Sequence, residues 1–208
     1  MISVIMPSLF IPSGIVDRIK EIVSHPLIGE FILIDNTNKD DNIKEEIPKL
    51  IHIKEGKNTY VNPAWNKGAS LAKYEKLLFL NDDTITDFGV LIDRMYDEVT
   101  EDRGIIGLGE GCWDYKEGEF SIEPISTLTT GFGCIFFIHK NSFIEIPDEL
   151  KIWYGDNWLL EKNKKRAFKI RNWKVWGKIS ESYTSSTNLL TTEDTKRWTN
   201  VFSKHEKR

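Results

Sequence analysis

The stretch LLFLNDDTITDFG (77–89) sets four apolar side chains, Leu77 to Leu80, directly against an amide, two carboxylates and a hydroxyl: Asn81, Asp82, Asp83 and Thr84. A short apolar run bounded by turn-forming residues reads as a buried strand, and the polar cluster then leaves that strand at one edge. Adjacent carboxylates repel each other and are best tolerated where a cation or solvent offsets their charge. Mg²⁺ or Mn²⁺ suits such a place, since these ions favour carboxylate oxygens and keep positions open for water and phosphate, so that a single Asp can suffice. Taken alone, the stretch is equally compatible with an Asx-turn that ends the strand and caps the next helix, because Asn and Asp are preferred turn residues.

Toward the N-terminus the same pattern repeats. The runs ISVIMP (2–7), FILID (31–35) and LIHIK (50–54) are strands, with KLLFL (76–80) the fourth. Between them lie two helical stretches. SGIVDRIKEIVSH (13–25) places Ile15, Ile19, Ile22 and Val23 on one face. NPAWNKGASLAKY (62–74) offers Asn62 as N-cap and Pro63 at the first helical position. This β-α-β alternation predicts a mostly parallel sheet flanked by helices. Ligands of such sheets bind beyond the carboxyl ends of the strands, which singles out Ser8, then Asp35 and Asn36, then Lys54 and Glu55, then Asn81 to Thr84.

Toward the C-terminus the pattern becomes mixed. A helix over 87–102 leads to GIIGLGE (104–110), and GCWDYKEGEF (111–120) reads as a turn or hairpin. SIEPISTLTTGFGCIFFIHK (121–140) holds one or two strands broken at Gly131 and Gly133. WYGDNWLLEKNKK (153–165) is a turn into a helix, FKIRNWKVWGKI (168–179) a strand or hairpin, and the tail after Thr191 a polar helix. With no repeat, linker or low-complexity tract, the expectation is one domain over 1–208. Residues 1–100 read as its parallel half and 101–208 as a smaller mixed half.

Composition narrows the function. The 28 Lys+Arg and 32 Asp+Glu give a net charge of -4, which offers no general attraction to nucleic acid or an anionic membrane. Cys112 and Cys134 have no CxxC spacing, and His25, His52, His139 and His205 are scattered. No apolar window reaches membrane-spanning length, so the chain reads as cytoplasmic, with no integral membrane segment and its oligomeric state open. Neither GxxxxGK[ST] nor GxGxxG after the first strand occurs, which disfavours a P-loop ATPase and an NAD-dependent dehydrogenase.

The segments ISVIMPS (2–8), FILIDN (31–36), NPAWNKGASLA (62–72) and LLFLNDDT (77–84), in that order, resemble the family-2 glycosyltransferases of the GT-A fold, in particular the rhamnosyltransferase-like branch. That family shows a V-S-V-I-I-P-T/S strand, a strand ending in DN or DD, an N-x-G helix, and a strand closed by a D-x-D-type motif. TTGFGCIFFIHKNSF (129–143) is similar to its G-x-x-x-x-x-R/K-x-x-F strand, and WYGDNWLL (153–160) to its acidic G-E/D-D-x-x-L segment. The resemblance covers about residues 2 to 165. It implies a Rossmann-like GT-A sheet and transfer of a hexose or deoxyhexose from a nucleoside diphosphate sugar, UDP- or dTDP-linked, to a glycan or glycoprotein hydroxyl.

It also implies roles. Asp35, with Asn36 and the backbone at Pro7 and Ser8, would hold the nucleoside; Asn66 and Lys67 would face the nucleotide. Asp83 matches the final carboxylate of D-x-D and would touch Mn²⁺ or Mg²⁺ at the diphosphate. Asn81 stands in place of the first Asp and would hydrogen-bond ribose or donor sugar, with Asp82 at the variable middle position. Where many relatives carry a late metal-binding His, GKISESYTSST (177–187) has none, leaving Glu181 or water. Asp156, after a glycine and between Tyr154 and Trp158, is the candidate base of an inverting transfer, with Asn157 one position away as the alternative register. Trp153, Tyr154, Trp158 and Trp113 could form an aromatic acceptor platform, whereas Trp65, at helical spacing with Ala69 and Ala72, reads as core. The competing readings are a nucleotidyltransferase, which would want a basic Gly-rich loop where PSLFIPSG stands, and a non-catalytic sugar-nucleotide or glycan-binding module.

Overall fold

The computed structural model describes residues 1–39, 42–115, 117–176 and 188–205. Its strands are β1 (Ile2–Ser8), β2 (Ile28–Asp35), β3 (Leu50–Lys54), β4 (Lys76–Leu80), β5 (Arg103–Leu108), β6 (Ser121–Ile125), β7 (Ile135–His139) and β8 (Arg166–Arg171). Its α-helices are α1 (Ile15–Ser24), α2 (Val61–Leu71), α3 (Phe88–Met95), α4 (Gly155–Lys162) and α5 (Asn188–His205). All eight strands join one sheet in the order β3-β2-β1-β4-β7-β5-β8-β6.

The expected parallel half is there: β1 pairs in parallel with β2 and β4, and β2 with β3. Central strands covered on both faces need apolar residues at successive positions, and Leu77 to Leu80 of β4 are all fully buried. Alternation divides this strand between two cores. Leu78 and Leu80 join Met6, Leu33 and the α1 and α3 side chains, while Leu77 and Phe79 join Ile5, Trp65 and the α4 residue Leu159. Phe79 stacks on Phe136 at 4.5 Å, and Trp65 meets Phe136 edge-on at 4.9 Å.

The other half is mixed. β7 runs antiparallel to both neighbours, β4 and β5; β8 is parallel to β5, and β6 antiparallel to β8. The reversal brings the start of β7 to the edge where β4 ends, and Asn81 donates its N–H to the Cys134 carbonyl at 2.9 Å. The glycine-marked break is a 3₁₀ turn, Phe132–Cys134, just before β7.

Helix starts shift by a few residues, α5 beginning at Asn188 rather than after Thr191, and at α2 the shift has a tertiary cause. α2 begins at Val61, with Tyr60 at its N-cap, and Asn62 is inside the first turn. The reason is tertiary: the Lys151 carbonyl accepts the N–H groups of both Val61 and Asn62, at 3.1 and 3.0 Å, so a distant loop caps the helix. α3 is shorter than the 87–102 stretch. Asp87 caps it by accepting from Val90 N at 3.1 Å, and the helix ends at Met95. Among the described residues no helix is long and apolar enough to cross a membrane.

Candidate active site

The carboxyl ends of β1, β2 and β4, the 3₁₀ turn before β7 and the start of α4 converge on a cleft of about 590 Å³. Its lining includes Pro7, Ser8, Asn36, Asn81, Asp82 and Asp83 from the strand ends, and Trp113, Gly131 to Cys134, Trp153, Tyr154, Asp156 and Asn157 from the later part of the chain; the two sets join where Asn81 meets Cys134.

The paired carboxylates have different surroundings. Asp82 Oδ2 accepts from Ser8 Oγ at 2.6 Å, and the Phe10 N–H donates to the same Ser8 oxygen at 2.9 Å, tying the β1 and β4 loops together. Burial pushes the Asp82 carboxyl up to about 6; the Ser8 hydroxyl opposes the shift, the neighbouring Asp83 charge adds to it, and the Leu9 N–H and Arg18 oppose it. Asp83 is likewise raised, chiefly by burial, against its own backbone N–H, the Thr84 hydroxyl and Arg18.

Arg18 is a residue that sequence reading passed over. It lies on α1, almost wholly buried, and donates to the Asp82 carbonyl. Burial pulls its pKa down, while Asp82, Asp83 and Glu21 pull it back. The signal was present: Arg18 falls on the otherwise apolar stripe Ile15, Ile19, Ile22, where a cation requires a counter-charge.

Across the cleft, Asp156 is the second residue of α4. Its Oδ1 accepts the Asn157 N–H at 3.0 Å, and the Gly133 N–H also stabilises its charge. Loss of water nevertheless dominates and raises its pKa above the ordinary carboxylate value. The glycines of the 3₁₀ turn are needed here. A Cβ on Gly133 would stand 2.8 Å from Asp156 Oδ2, and one on Gly131, at φ 75°, would stand 2.4 Å from Trp113 Nε1. Cys134 feels both Asp83 and Asp156: burial and those two charges push its thiol up to about 12, so it stays protonated and unreactive.

The remaining predicted site residues separate. Asn36 lines the cleft and pins the loop before α2, accepting from Thr59 Oγ1 at 2.7 Å and donating to the Tyr60 carbonyl at 3.3 Å. Asp35 does not line the cleft. It is fully buried and accepts from Thr37 Oγ1 and N, Asn42 and His52 at 2.7 to 3.0 Å. Burial works against its charge, yet hydrogen bonds from Asn42, Thr37 and His52 hold its pKa below the ordinary value. Asn66 and Lys67 also lie outside the lining. Asn66 is engaged with the backbone of Ile146, by Nδ2 to O at 2.7 Å and Oδ1 from N at 2.9 Å, and Lys67 pairs with Glu55. Trp158 is core rather than platform: it is 4% exposed and donates Nε1 to the Glu145 carbonyl at 2.9 Å. Trp65 is core as expected, though its edge reaches the cleft floor. Glu181 lies outside the described residues.

Two features mark the cleft as built for a ligand. Trp65 and Trp113 line it, and their indole N–H groups are buried with no hydrogen-bond partner among the described residues, an arrangement uncommon in folded proteins. Tyr60 and Tyr154, both lining residues and both helix N-caps, have left-handed φ of 69° and 66°. Such conformations cost on the order of 1–3 kcal/mol and cluster at functional sites.

As for a metal, Ser8 engages one oxygen of Asp82 at 2.6 Å, whereas Asp83 accepts a longer 3.4 Å bond from Thr84 Oγ1, so Asp83 is the less engaged of the two carboxylates at this edge. Among the described residues no group of three or more His, Cys, Asp or Glu could hold one. The donor set therefore fits an ion held largely by a ligand's phosphates, with Asp83 the protein's contribution.

No protein-family model matches the chain, and no curated protein matches it by sequence. Solved structures do match in shape. S. aureus TarS 1-349 superimposes with a TM-score of 0.63 at 15% identity, over 92% of this chain and 64% of that one. The same protein in complex with UDP gives 0.62 at 15% identity, over 84% and 59%. GalNAc-T7 with UDP, GalNAc and Mn²⁺ gives 0.63 at 12% identity, over 85% and 43%. The fold is thus GT-A, and the chain spans about two fifths to two thirds of the length of these neighbours.

Proposed function

We propose that the chain is an inverting glycosyltransferase that binds a nucleoside diphosphate sugar against the ends of β1, β2 and β4. It passes a hexose or deoxyhexose to a hydroxyl of a glycan or glycoprotein acceptor. One observation carries the reading: two carboxyls with raised pKa, Asp83 after β4 and Asp156 at the start of α4, line a single cleft at the carboxyl edge of the sheet. UDP bound in one TarS structure, and UDP, GalNAc and Mn²⁺ in that of GalNAc-T7, support a uridine nucleotide as the first donor to try. The rhamnosyltransferase-like branch rests on the motif resemblance alone.

In this reading Asp156 accepts the proton of the acceptor hydroxyl as its oxygen attacks the anomeric carbon. The bond from that carbon to the diphosphate breaks, and the nucleoside diphosphate leaves with the electron pair. One displacement inverts the anomeric centre. A raised pKa brings Asp156 closer to a useful base, and its protein-packed surroundings exclude competing water. Arg18 offsets the charge of the Asp82–Asp83 pair beside the leaving group. Mn²⁺ or Mg²⁺, held by Asp83 and the diphosphate, would add charge neutralisation at the leaving group. Asn36, Pro7, Ser8 and Asn81 form the nucleoside side of the cleft, and Asp35 acts behind them by fixing Thr37 and the loop that follows β2.

Thermal unfolding with UDP, UDP-sugars and dTDP-sugars, each with and without Mn²⁺, tests the reading. A ligand at a hundred times its Kd should raise the midpoint by roughly 5–10 °C for a chain of this size. No shift with any of them contradicts it.

A further inference from the structure

The cleft wall that carries Asp156 is fastened by one carboxylate on the C-terminal helix. Asp194 of α5 is fully buried. It accepts three successive backbone N–H groups: Lys151, at 3.3 Å to each oxygen, Ile152 at 2.8 Å and Trp153 at 3.0 Å. Its other neighbour is Arg197, at 3.4 Å, whose guanidinium also meets Glu193 and the Glu149 carbonyl. Charge-assisted bonds of this kind are stronger than neutral ones, and here they hold three consecutive residues of that backbone to one side chain.

The same turn reaches the opposite wall. The Lys151 carbonyl caps α2 through Val61 and Asn62, and the Trp153 carbonyl accepts from Asn62 Nδ2 at 3.1 Å. Tyr154 follows, held in its left-handed conformation by contacts to α5: its hydroxyl lies 2.9 Å from Thr195 Oγ1 and its ring stacks on Trp198 at 5.3 Å. Two residues later comes Asp156. Ile152, Trp153, Tyr154 and Asp156 all line the cleft, as does Thr191, one turn before Asp194.

We propose that Asp194 is a positioning residue for the acceptor side of the cleft. It touches no reacting atom and acts through the backbone of Lys151 to Trp153, setting where the Trp153 and Tyr154 rings and the start of α4 stand relative to the donor wall. The word acceptor rests on the glycosyltransferase reading; the clamp itself does not.

Hydrogen–deuterium exchange on the full chain tests it, using wild type, Asp194→Asn and Asp194→Ala, alongside calorimetric titration with UDP and Mn²⁺. In the wild type, the amides of Lys151, Ile152 and Trp153 exchange no faster than those of β4. In the variants they exchange at least about tenfold faster, and Val61 and Asn62 follow, while β1, β2 and β4 are unchanged and the UDP Kd stays within about twofold. With a UDP-sugar that the wild type turns over, kcat of folded Asp194→Asn falls about tenfold or more, and the donor KM moves less than about twofold. Fast exchange of the three amides in the wild type overturns the proposal without any variant. So does unchanged exchange there in folded Asp194→Asn, or a rise spread evenly over the sheet, which would mark a merely structural residue. If the wild type binds neither UDP nor any UDP- or dTDP-sugar, the glycosyltransferase reading fails and the exchange pattern still decides the clamp.

Discussion

The two walls of the cleft are built differently. The donor-side wall consists of strand ends: Ser8, Asn36 and Asn81 to Asp83 each follow directly from a buried parallel strand, and short contacts such as Ser8 to Asp82 knit them together. The opposite wall is assembled from segments far apart in sequence. Gly131 to Cys134 sit before an antiparallel strand, Trp153 and Tyr154 hang from Asp194 and Asn62, and Asp156 heads a helix whose hydrophobic side is slight. The first wall is fixed by the strand pairing and burial behind it. The second is only as well placed as a few hydrogen bonds hold it, and under the proposed glycosyltransferase reading this is where acceptor choice would vary without disturbing the donor side.

Perturbations that separate the walls follow from this difference, and the largest effect is expected at Asp156. Asp156→Asn keeps the shape and the backbone contacts but removes the base, so turnover should fall about 10²- to 10⁴-fold while UDP affinity is retained. In the wild type, the acidic limb of the pH–rate profile should lie above the ordinary carboxylate range, since Asp156 must be ionised to act. Loss of UDP binding in Asp156→Asn would show that the walls are not separable.

Next is Asp82, on the donor wall. It holds its proton more tightly folded than unfolded, so its contribution to stability is fully present below about pH 4 and lost as pH rises through about 6. The loss amounts to at most about 3 kcal/mol by the linkage relation. Denaturant unfolding at pH 4 and pH 7 should show a smaller difference for Asp82→Asn than for the wild type, and an identical difference would refute the assignment.

Gly133→Ala forces the Asp156 carboxylate away from its seat. Turnover should drop about tenfold, as small misplacements of a reacting group do, with UDP affinity untouched. The mildest change is Trp153→Ala, at the 38% exposed rim of the cleft. A sugar acceptor's KM should rise by a few-fold, roughly the worth of one exposed ring contact, and the donor KM should not move.

Legibility in the sequence follows the same division. The four parallel strands could be read because each is a continuous apolar run punctuated by turn residues, and β4 falls on 76–80 as expected. The strand-end rule reached Ser8, Asn36 and Asn81 to Asp83, which line the cleft, but also Asp35, Lys54, Glu55 and Thr84, which do not. Side-chain direction is not carried by the same pattern. Asn66 and Lys67 lie on the right helix, but Asn66 is engaged by the Ile146 backbone and Lys67 by Glu55. Trp158 looks like Trp153 in sequence, yet the Glu145 carbonyl draws it into the core. Asp194 sits in a helix that reads as polar throughout, and nothing local shows that its carboxylate meets a loop some forty residues away. Arg18, by contrast, was legible as a charge on an apolar stripe.

The central claim is that Asp83 and Asp156 serve one transfer from opposite walls. Its most direct test is UDP release from a UDP-sugar with Mn²⁺, measured for the wild type, Asp83→Ala and Asp156→Ala, with the anomeric configuration of the product followed by NMR. The account predicts release by the wild type with inversion, and at least about a hundredfold loss in each variant. Full activity in either variant, or a product of retained configuration, would contradict it.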